Sequence, residues 1–163
     1  MPDTYIENAI GGSADDTIIG NDADNIIDGR GGSDNIFADA GADTIIYDSQ
    51  DAVIDGGSGV DTLLILEDNL TLDLSAMTNL DNMEVIDLSD LTNSISITAN
   101  AIISATDVNN TLFIFGGDND TVTFSDGGWS DDGQVDIGGT LYDEYSNASV
   151  SLLVDADVNS SLI

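Results

Sequence analysis

The sequence predicts an all-β chain: a parallel β-solenoid of nine-residue repeats over residues 11–64, followed by a β-rich C-terminal cap. Three observations predict it. A nonapeptide recurs six times in one unbroken phase. The 163 residues carry 32 acidic side chains against a single basic one, Arg30. Short apolar alternations continue beyond the repeats, separated by the turn residues Asn, Asp, Ser and Gly.

The composition already excludes several functions. The formal net charge is −31, and 28 of the 32 acids are Asp, which disfavours helices and suits turns and oxygen-rich cation sites. Apolar content of 41%, with regular Ile, Leu and Val, argues against the disorder that such a charge would otherwise suggest. The chain has no His and no Cys, which removes thiolate and imidazole metal ligands, Cys nucleophiles and His-based triads. With one basic residue it has almost nothing to neutralise phosphates, so no nucleic-acid partner is expected. No stretch approaches the ~18 apolar residues of a membrane span, so no membrane insertion is expected either. Met1-Pro2-Asp3 does not begin a cleavable signal peptide. The length fits one domain or one elongated repeat unit.

Residues 1–10 read as a lead-in. From Gly11 the chain divides without a gap into GGSADDTII, GNDADNIID, GRGGSDNIF, ADAGADTII, YDSQDAVID and GGSGVDTLL, ending at Leu64. Column eight is aliphatic throughout: Ile18, Ile27, Ile36, Ile45, Ile54 and Leu63. Column six reads Asp16, Asn25, Asp34, Asp43, Ala52 and Asp61, an oxygen ligand in five of six. Nine residues split into a six-residue turn and a three-residue strand whose column-eight side chain points inward. Glycine in the turn lets the backbone take positive φ and aim its carbonyls at one point.

Two nonapeptides make one coil, so each repeat is expected to stack on the next but one. One edge then carries Asp16, Asp34 and Ala52, and the other Asn25, Asp43 and Asp61. A Ca²⁺ ion takes about six to eight oxygens, which paired carboxylates and turn carbonyls can supply. Asp16/Asp34 and Asp43/Asp61 are the better pairs, and Asn25/Asp43 is weaker because one charge is missing. Asp34/Ala52 is the poorest pair, and YDSQDAVID has no glycine. Gly11, Ser13, Asp15, Gly29, Gly31, Gly56 and Ser58 are the further candidate metal ligands in the turns. About three to five Ca²⁺ ions are expected. Stacked Asp left unneutralised would repel, so folding is expected to require the cation.

The six nonapeptides resemble the β-roll of RTX proteins, following its Gly-Gly-x-Gly-x-Asp-x-U-x template. Ile6-Glu7-Asn8-Ala9-Ile10-Gly11-Gly12-Ser13 is similar to the start of the roll in serralysin-type C-terminal domains. This resemblance implies a right-handed parallel β-roll, Ca²⁺ binding and bacterial type I secretion. A serralysin's catalytic half carries a His-based zinc motif, which a chain without His does not contain, and no enzyme is expected. The residues from 65 to 163 resemble the C-terminal ends of giant RTX adhesins. The matching stretches are Asn69–Leu74, Met83–Leu88, Asp126–Trp129 and Tyr142–Ile163, with Ser151-Leu152-Leu153-Val154-Asp155 near the terminus. That likeness implies a secreted protein, extracellular or on the bacterial cell surface, monomeric, with the type I secretion apparatus and upstream adhesin domains as partners.

Two other readings stand beside it. The first is the non-catalytic C-terminal domain of a secreted RTX protease or lipase. The second is a module binding sugar or ice. Ice binding wants a flat row of Thr and Asn, whereas column three reads Ser13, Asp22, Gly31, Ala40, Ser49 and Ser58.

Residues 65–146 read as a capping or solenoid extension, hiding the last core layer of the roll. Apolar alternations fall at Leu63–Leu66, Leu70–Leu74, Glu84–Leu88, Ile95–Ile97, Leu112–Phe115, Val122–Phe124, Val135–Ile137, Leu141–Tyr145 and Val150–Val154. They fit either further coils or a packed sandwich. Ala99–Ala105 suits one short helix with Thr98 as N-cap. Gly116-Gly117-Asp118-Asn119-Asp120-Thr121-Val122 resembles a repeat one residue short and is a further candidate Ca²⁺ site. Trp129, alone between Gly128 and Ser130, reads as a packing anchor. Arg30 reads as a surface residue among Asp side chains. Residues 147–163 are assigned to a C-terminal secretion signal. Asp155–Ile163 looks like the basic-poor, uncleaved signal of the proteins this chain resembles, and an ordinary terminal strand is the alternative.

Overall fold

The nonapeptide phase dictates where strands form: three residues centred on the aliphatic side chain of column eight. The computed structural model describes residues 7–89, 91–107 and 109–162. The Met1-Pro2-Asp3 start, Ile6 of the lead-in motif and the terminal Ile163 lie outside the described residues. In the repeat half the strands are β1 (Asn8–Ile10), β2 (Thr17–Asn21), β3 (Ile26–Asp28), β4 (Asn35–Gly41), β5 (Thr44–Ile46), β6 (Val53–Asp55), β7 (Ser58–Gly59) and β8 (Thr62–Leu64). Every nonapeptide has its strand in columns seven to nine.

The pairing is parallel and advances by two repeats. In one ladder Ile18 pairs with Ile36 and Ile36 with Ile54, through β2, β4 and β6. In the other, β1, β3, β5 and β8 align Ala9 with Ile27, Ile27 with Ile45, and Ile45 with Leu63. Each coil therefore returns after 18 residues, the separation of Ile27 and Ile45. Ile27, Ile36, Ile45, Ile54 and Leu63 are fully buried between the two ladders. Each contributes about 1.5–3 kcal/mol of burial, a thin core for so charged a chain.

Parallel pairing does not stop at Leu64. The later elements are β9 (Thr71–Asp73), β10 (Leu80–Asp81), β11 (Val85–Asp87), β12 (Ser94–Ile97), α1 (Ala99–Ala105), β13 (Thr111–Phe115), β14 (Thr121–Phe124), β15 (Ser130–Ile137), β16 (Thr140–Asn147), β17 (Val150–Asp155) and β18 (Asn159–Ser161). β8 continues in parallel to β11, β13 and β17, and β10 extends the β6 ladder. A third parallel sheet orders β18, β14, β12 and β9. Coil length is no longer fixed: Thr62 pairs with Val85, Val85 with Phe113, and Phe113 with Leu153. The large sheet ends in antiparallel pairing, β17 with β16 and β16 with β15.

All nine apolar alternations coincide with strands, and the helix starts where its cap residue predicts. Thr98 Oγ1 accepts from Ala101 N at 3.1 Å, and α1 buries Ala101, Ile102 and Ala105 in the core. Trp129 is half-buried against the core, edge-on to Phe124 with ring centroids 5.1 Å apart, and its Nε1 donates to Asp126 Oδ1 at 2.7 Å. Arg30 is exposed, and its backbone N–H donates to Asp28 Oδ1. The C-terminal segment supplies the strands β17 and β18, with Val158 buried between them.

Candidate metal centre

The residue just before each repeat strand is column six, and the 18-residue return stacks these positions on one another. Asp16 N donates to Asp34 Oδ1 at 2.8 Å on one edge. On the other edge Asn25 N donates to Asp43 Oδ1 at 2.7 Å, and Asp43 N to Asp61 Oδ1 at 2.8 Å. The structure thus brings together three of the four column-six pairs named from the sequence, and at the fourth, Asp34/Ala52, the exposed Ala52 offers no side-chain oxygen. Each carboxylate spends one oxygen on the backbone of the coil before it.

The second oxygen has no such use. Asp34 Oδ2, Asp43 Oδ2 and Asp61 Oδ2 are buried and have no hydrogen-bond partner. A buried carboxylate oxygen without a partner is strongly unfavourable. The chain has only the exposed Arg30 to offer as counter-charge. Burial raises the Asp43 carboxyl above its ordinary value, opposed by the Asn25 amide and reinforced by Asp24 and Asp39. Burial pushes Asp61 up to about 7, with the Asp43 amide opposing and the charges of Asp43, Glu84 and Asp107 adding to it. Such groups call for either a proton or a cation.

Glycine leaves the space beside these oxygens. A Cβ on Gly29 would collide with Asp34 Oδ2, and one on Gly56 would lie 2.8 Å from Asp61 Oδ2. On Gly11 it would lie 3.0 Å from Asp16 Oδ2. These column-one positions are therefore cradles that any side chain would fill. Among the described residues no group of three or more acidic side chains gathers as a metal cluster. A site here consists of two stacked oxygen side chains completed by backbone oxygens, a donor set that fits a hard cation such as Ca²⁺.

The remaining predicted turn residues divide. Gly29 and Gly56 are buried at the cradles, and Gly11 and Gly31 are half-buried. Ser13, Asp15 and Ser58 are exposed. Asp15 Oδ1 accepts from Ser33 N at 2.9 Å, so this side chain ties one turn to the next, and Asp24 does the same for Ala42 N at 2.8 Å. Ser58 belongs to β7, paired with β4 through Ala40.

Sequence reasoning missed the rungs at Glu84 and Asn93, and reached a third, Asp120, only through the shortened repeat at Gly116–Val122. Val85 aligns with Thr62, which makes Glu84 the column-six residue of the following coil. Its Oε2 accepts from Asp61 N at 3.1 Å and its Oε1 from Asp107 N at 3.3 Å. On the third sheet Asn93 and Asp120 hold the same place: Leu70 N donates to Asn93 Oδ1 at 2.9 Å, and Asn93 N to Asp120 Oδ1 at 2.7 Å. An acidic or amide residue two positions before the aliphatic centre of a short strand, Ile86, Ile95 or Val122, was the available signal. The short repeat at Gly116 closes its turn through Gly117 N to Asp120 Oδ2 at 2.8 Å, so both oxygens of Asp120 accept backbone amides. The oxygens lacking partners lie in the nonapeptides instead.

Comparison with known families agrees with this geometry. The family model for the RTX calcium-binding nonapeptide repeat matches residues 10–45 in four copies. The chain carries RTX repeats, and Ca²⁺ is their ion. The fifth and sixth nonapeptides lie wholly beyond the matched residues, yet they keep the 18-residue register through Ile54 and Leu63. No curated protein and no solved structure matches the chain.

Proposed function

We propose that this chain is a non-enzymatic, calcium-dependent folding and secretion-signal module from the C-terminal region of a large secreted RTX adhesin. The observation that carries the calcium switch is the row of buried column-six carboxylates with an oxygen left over on each. Extracellular Ca²⁺ sites have dissociation constants of about 10⁻⁴–10⁻³ M. At tenfold excess over that constant each ion stabilises by about 1.4 kcal/mol, so four ions supply roughly 6 kcal/mol. That is comparable with the ~5–15 kcal/mol stability of a whole domain. In calcium-poor cytosol the term vanishes and the acidic rows hold the chain open for export. Outside, the ions neutralise the rows and the right-handed roll folds against its C-terminal cap.

The adhesin assignment rests on the likeness of Asn69–Leu74, Met83–Leu88, Asp126–Trp129 and Tyr142–Ile163 to adhesin C-terminal regions. Type I export, an extracellular or surface location and upstream adhesin domains as neighbours belong to the same reading. Circular dichroism across a Ca²⁺ titration, with EDTA reversal and a Mg²⁺ control, tests the switch. Near-complete structure in EDTA would overturn it. Export through a type I apparatus after deletion of Asn147–Ile163 tests the signal, and undiminished export would place the signal elsewhere. Because that deletion also removes β17 and β18, the Ca²⁺-induced fold of the shortened chain is measured separately.

A further inference from the structure

The fifth nonapeptide, YDSQDAVID, breaks the pattern twice: Tyr47 replaces the column-one glycine and Ala52 the column-six Asp. The burial pattern there is also shifted. Ala52 is exposed, whereas Asp51, in column five, is only 5% exposed. In the other repeats of that edge column five faces solvent, as at Asp15 and Ser33. The backbone shows the same shift, because Ala52 N and Val53 N both donate to the Asp34 carbonyl, at 2.8 and 3.2 Å. In the regular step before it, Asn35 N donates to the Asp16 carbonyl at 2.9 Å while Asp16 N takes the Asp34 carboxylate. The fifth turn has drawn its column-five side chain inward.

What it draws in is a carboxylate with no partner. Both Asp51 oxygens are buried without a hydrogen bond, as is Asp34 Oδ2, giving three such oxygens at this step. The Asp51 backbone is meanwhile held: its N–H donates to the Asp48 carbonyl at 3.2 Å and its carbonyl accepts from Asn79 Nδ2 at 2.7 Å. Asp34 and Asp51 repel each other electrostatically, and burial together with Asp34 and Asp48 raises the Asp51 carboxyl to about 6. At Gly29 the three atoms nearest a built Cβ all belong to Asp34. At Gly11 and Gly20, by contrast, the nearest atom is the column-one carbonyl oxygen of the next coil. The stack is thus more open where Asp51 enters. Ordinary packing would not place two unpaired carboxylates together out of water.

We infer that Asp34 and Asp51 form a further divalent-cation site, in which a column-five carboxylate takes over from the missing column-six ligand. The inference rests on the reading of this chain as a calcium-folding module and adds a site that the nonapeptide pattern does not assign. It makes the step that looks weakest by sequence a binding step. The edge of Asp16 and Asp34 then carries cations past Ala52 instead of ending there.

Counting bound Ca²⁺ per folded chain, by native mass spectrometry and by isothermal titration, tests the site. D51N, which keeps the volume and removes the charge, is expected to bind one ion fewer than the wild type. An unchanged count with D51N folded would overturn the inference and leave Asp51 a buried, protonated acid. A wild type that binds no Ca²⁺ would overturn the calcium reading itself. A second variant guards against D51N failing to fold. D51A/A52D returns the carboxylate to column six and is expected to bind as many ions as the wild type. One ion more than the wild type would mean that the native step holds none, and would overturn the inference.

Discussion

Asp43 is the most exacting test of the ladder because it is shared by two pairs. Its Oδ1 accepts Asn25 N, its own N–H donates to Asp61 Oδ1, and its Oδ2 is buried without a partner. Asp43→Asn keeps an acceptor for Asn25 N and removes the charge. At Ca²⁺ tenfold above the dissociation constant, loss of two shared ions removes about 3 kcal/mol. With a urea dependence of about 2 kcal/mol per M, the unfolding midpoint falls by about 1.5 M. Asp43→Ala also orphans the Asn25 amide, which adds about 1–3 kcal/mol. In EDTA, with enough trimethylamine N-oxide to populate the fold, the order reverses for Asp43→Asn. There the wild type carries a buried, unpaired charge that the variant lacks, so the variant is expected to be no less stable. The measurement is urea unfolding followed by circular dichroism in both conditions. An equal loss in Ca²⁺ and in EDTA would refute the argument, because Asp43 would then act through packing and not through a cation.

Three further outcomes follow from the same geometry. Asp61 at about 7 and Asp51 at about 6 lie above the ordinary carboxylate value of 3.8, so the metal-free fold retains protons that the unfolded chain has released. Their contribution to stability is fully present below about pH 4 and is lost as pH rises through 6 to 7. In EDTA the urea midpoint should therefore be higher at about pH 5 than at about pH 8, whereas the Ca²⁺ midpoint should weaken on acidification as protons compete for the same oxygens. Gly29→Ala places a methyl against Asp34 Oδ2 and should weaken Ca²⁺ binding in a calorimetric titration. Gly31→Ala meets nothing within 4 Å and should leave stability within about 0.5 kcal/mol. Glu84→Ala removes the acceptor of both Asp61 N and Asp107 N. It should cost about 1–3 kcal/mol, with hydrogen exchange accelerated first at those two amides.

The repeat half was legible because its rule is local. A fixed nine-residue phase gives the strands, the inward column and the 18-residue return at once, and Ile27, Ile45 and Leu63 stack as counted. The Thr98 cap was legible for the same reason, since an N-cap needs only a few residues of context. The rungs at Glu84 and Asn93 were not, because coil length varies after Leu64 and no period points to them, and Asp120 was legible only as part of the shortened repeat at Gly116–Val122. Their role is set by which residue precedes a paired strand, and that is known only once Val85, Ser94 and Thr121 have found their partners. Asp51 was missed for another reason. The column rule assigns it to solvent, whereas in the fifth turn Ala52 N and Val53 N share the Asp34 carbonyl and Asp51 is drawn inward.

The two edges of the repeat stack are therefore unequal, and the inequality decides how calcium reaches the second half. Stability in stacked repeats is approximately a sum over units and their nearest neighbours. One edge passes from Asn25 through Asp43 and Asp61 to Glu84, each joined to the next by an amide-to-side-chain hydrogen bond. Its last rung holds the Asp107 amide just after α1. A cation that fixes Asp61 consequently fixes the acceptor geometry of the coil carrying β11, outside the nonapeptides. The other edge reaches residues 65–163 through Leu80 and Asp81, whose short strand pairs with β6 beside the shifted turn at Asp51. If the proposed switch operates, charge neutralisation in residues 11–64 is therefore expected to couple to formation of the later coils through Glu84. On the proposed calcium reading the acidic rows hold back both halves until ions arrive, although the periodic signal for those ions ends at Leu64.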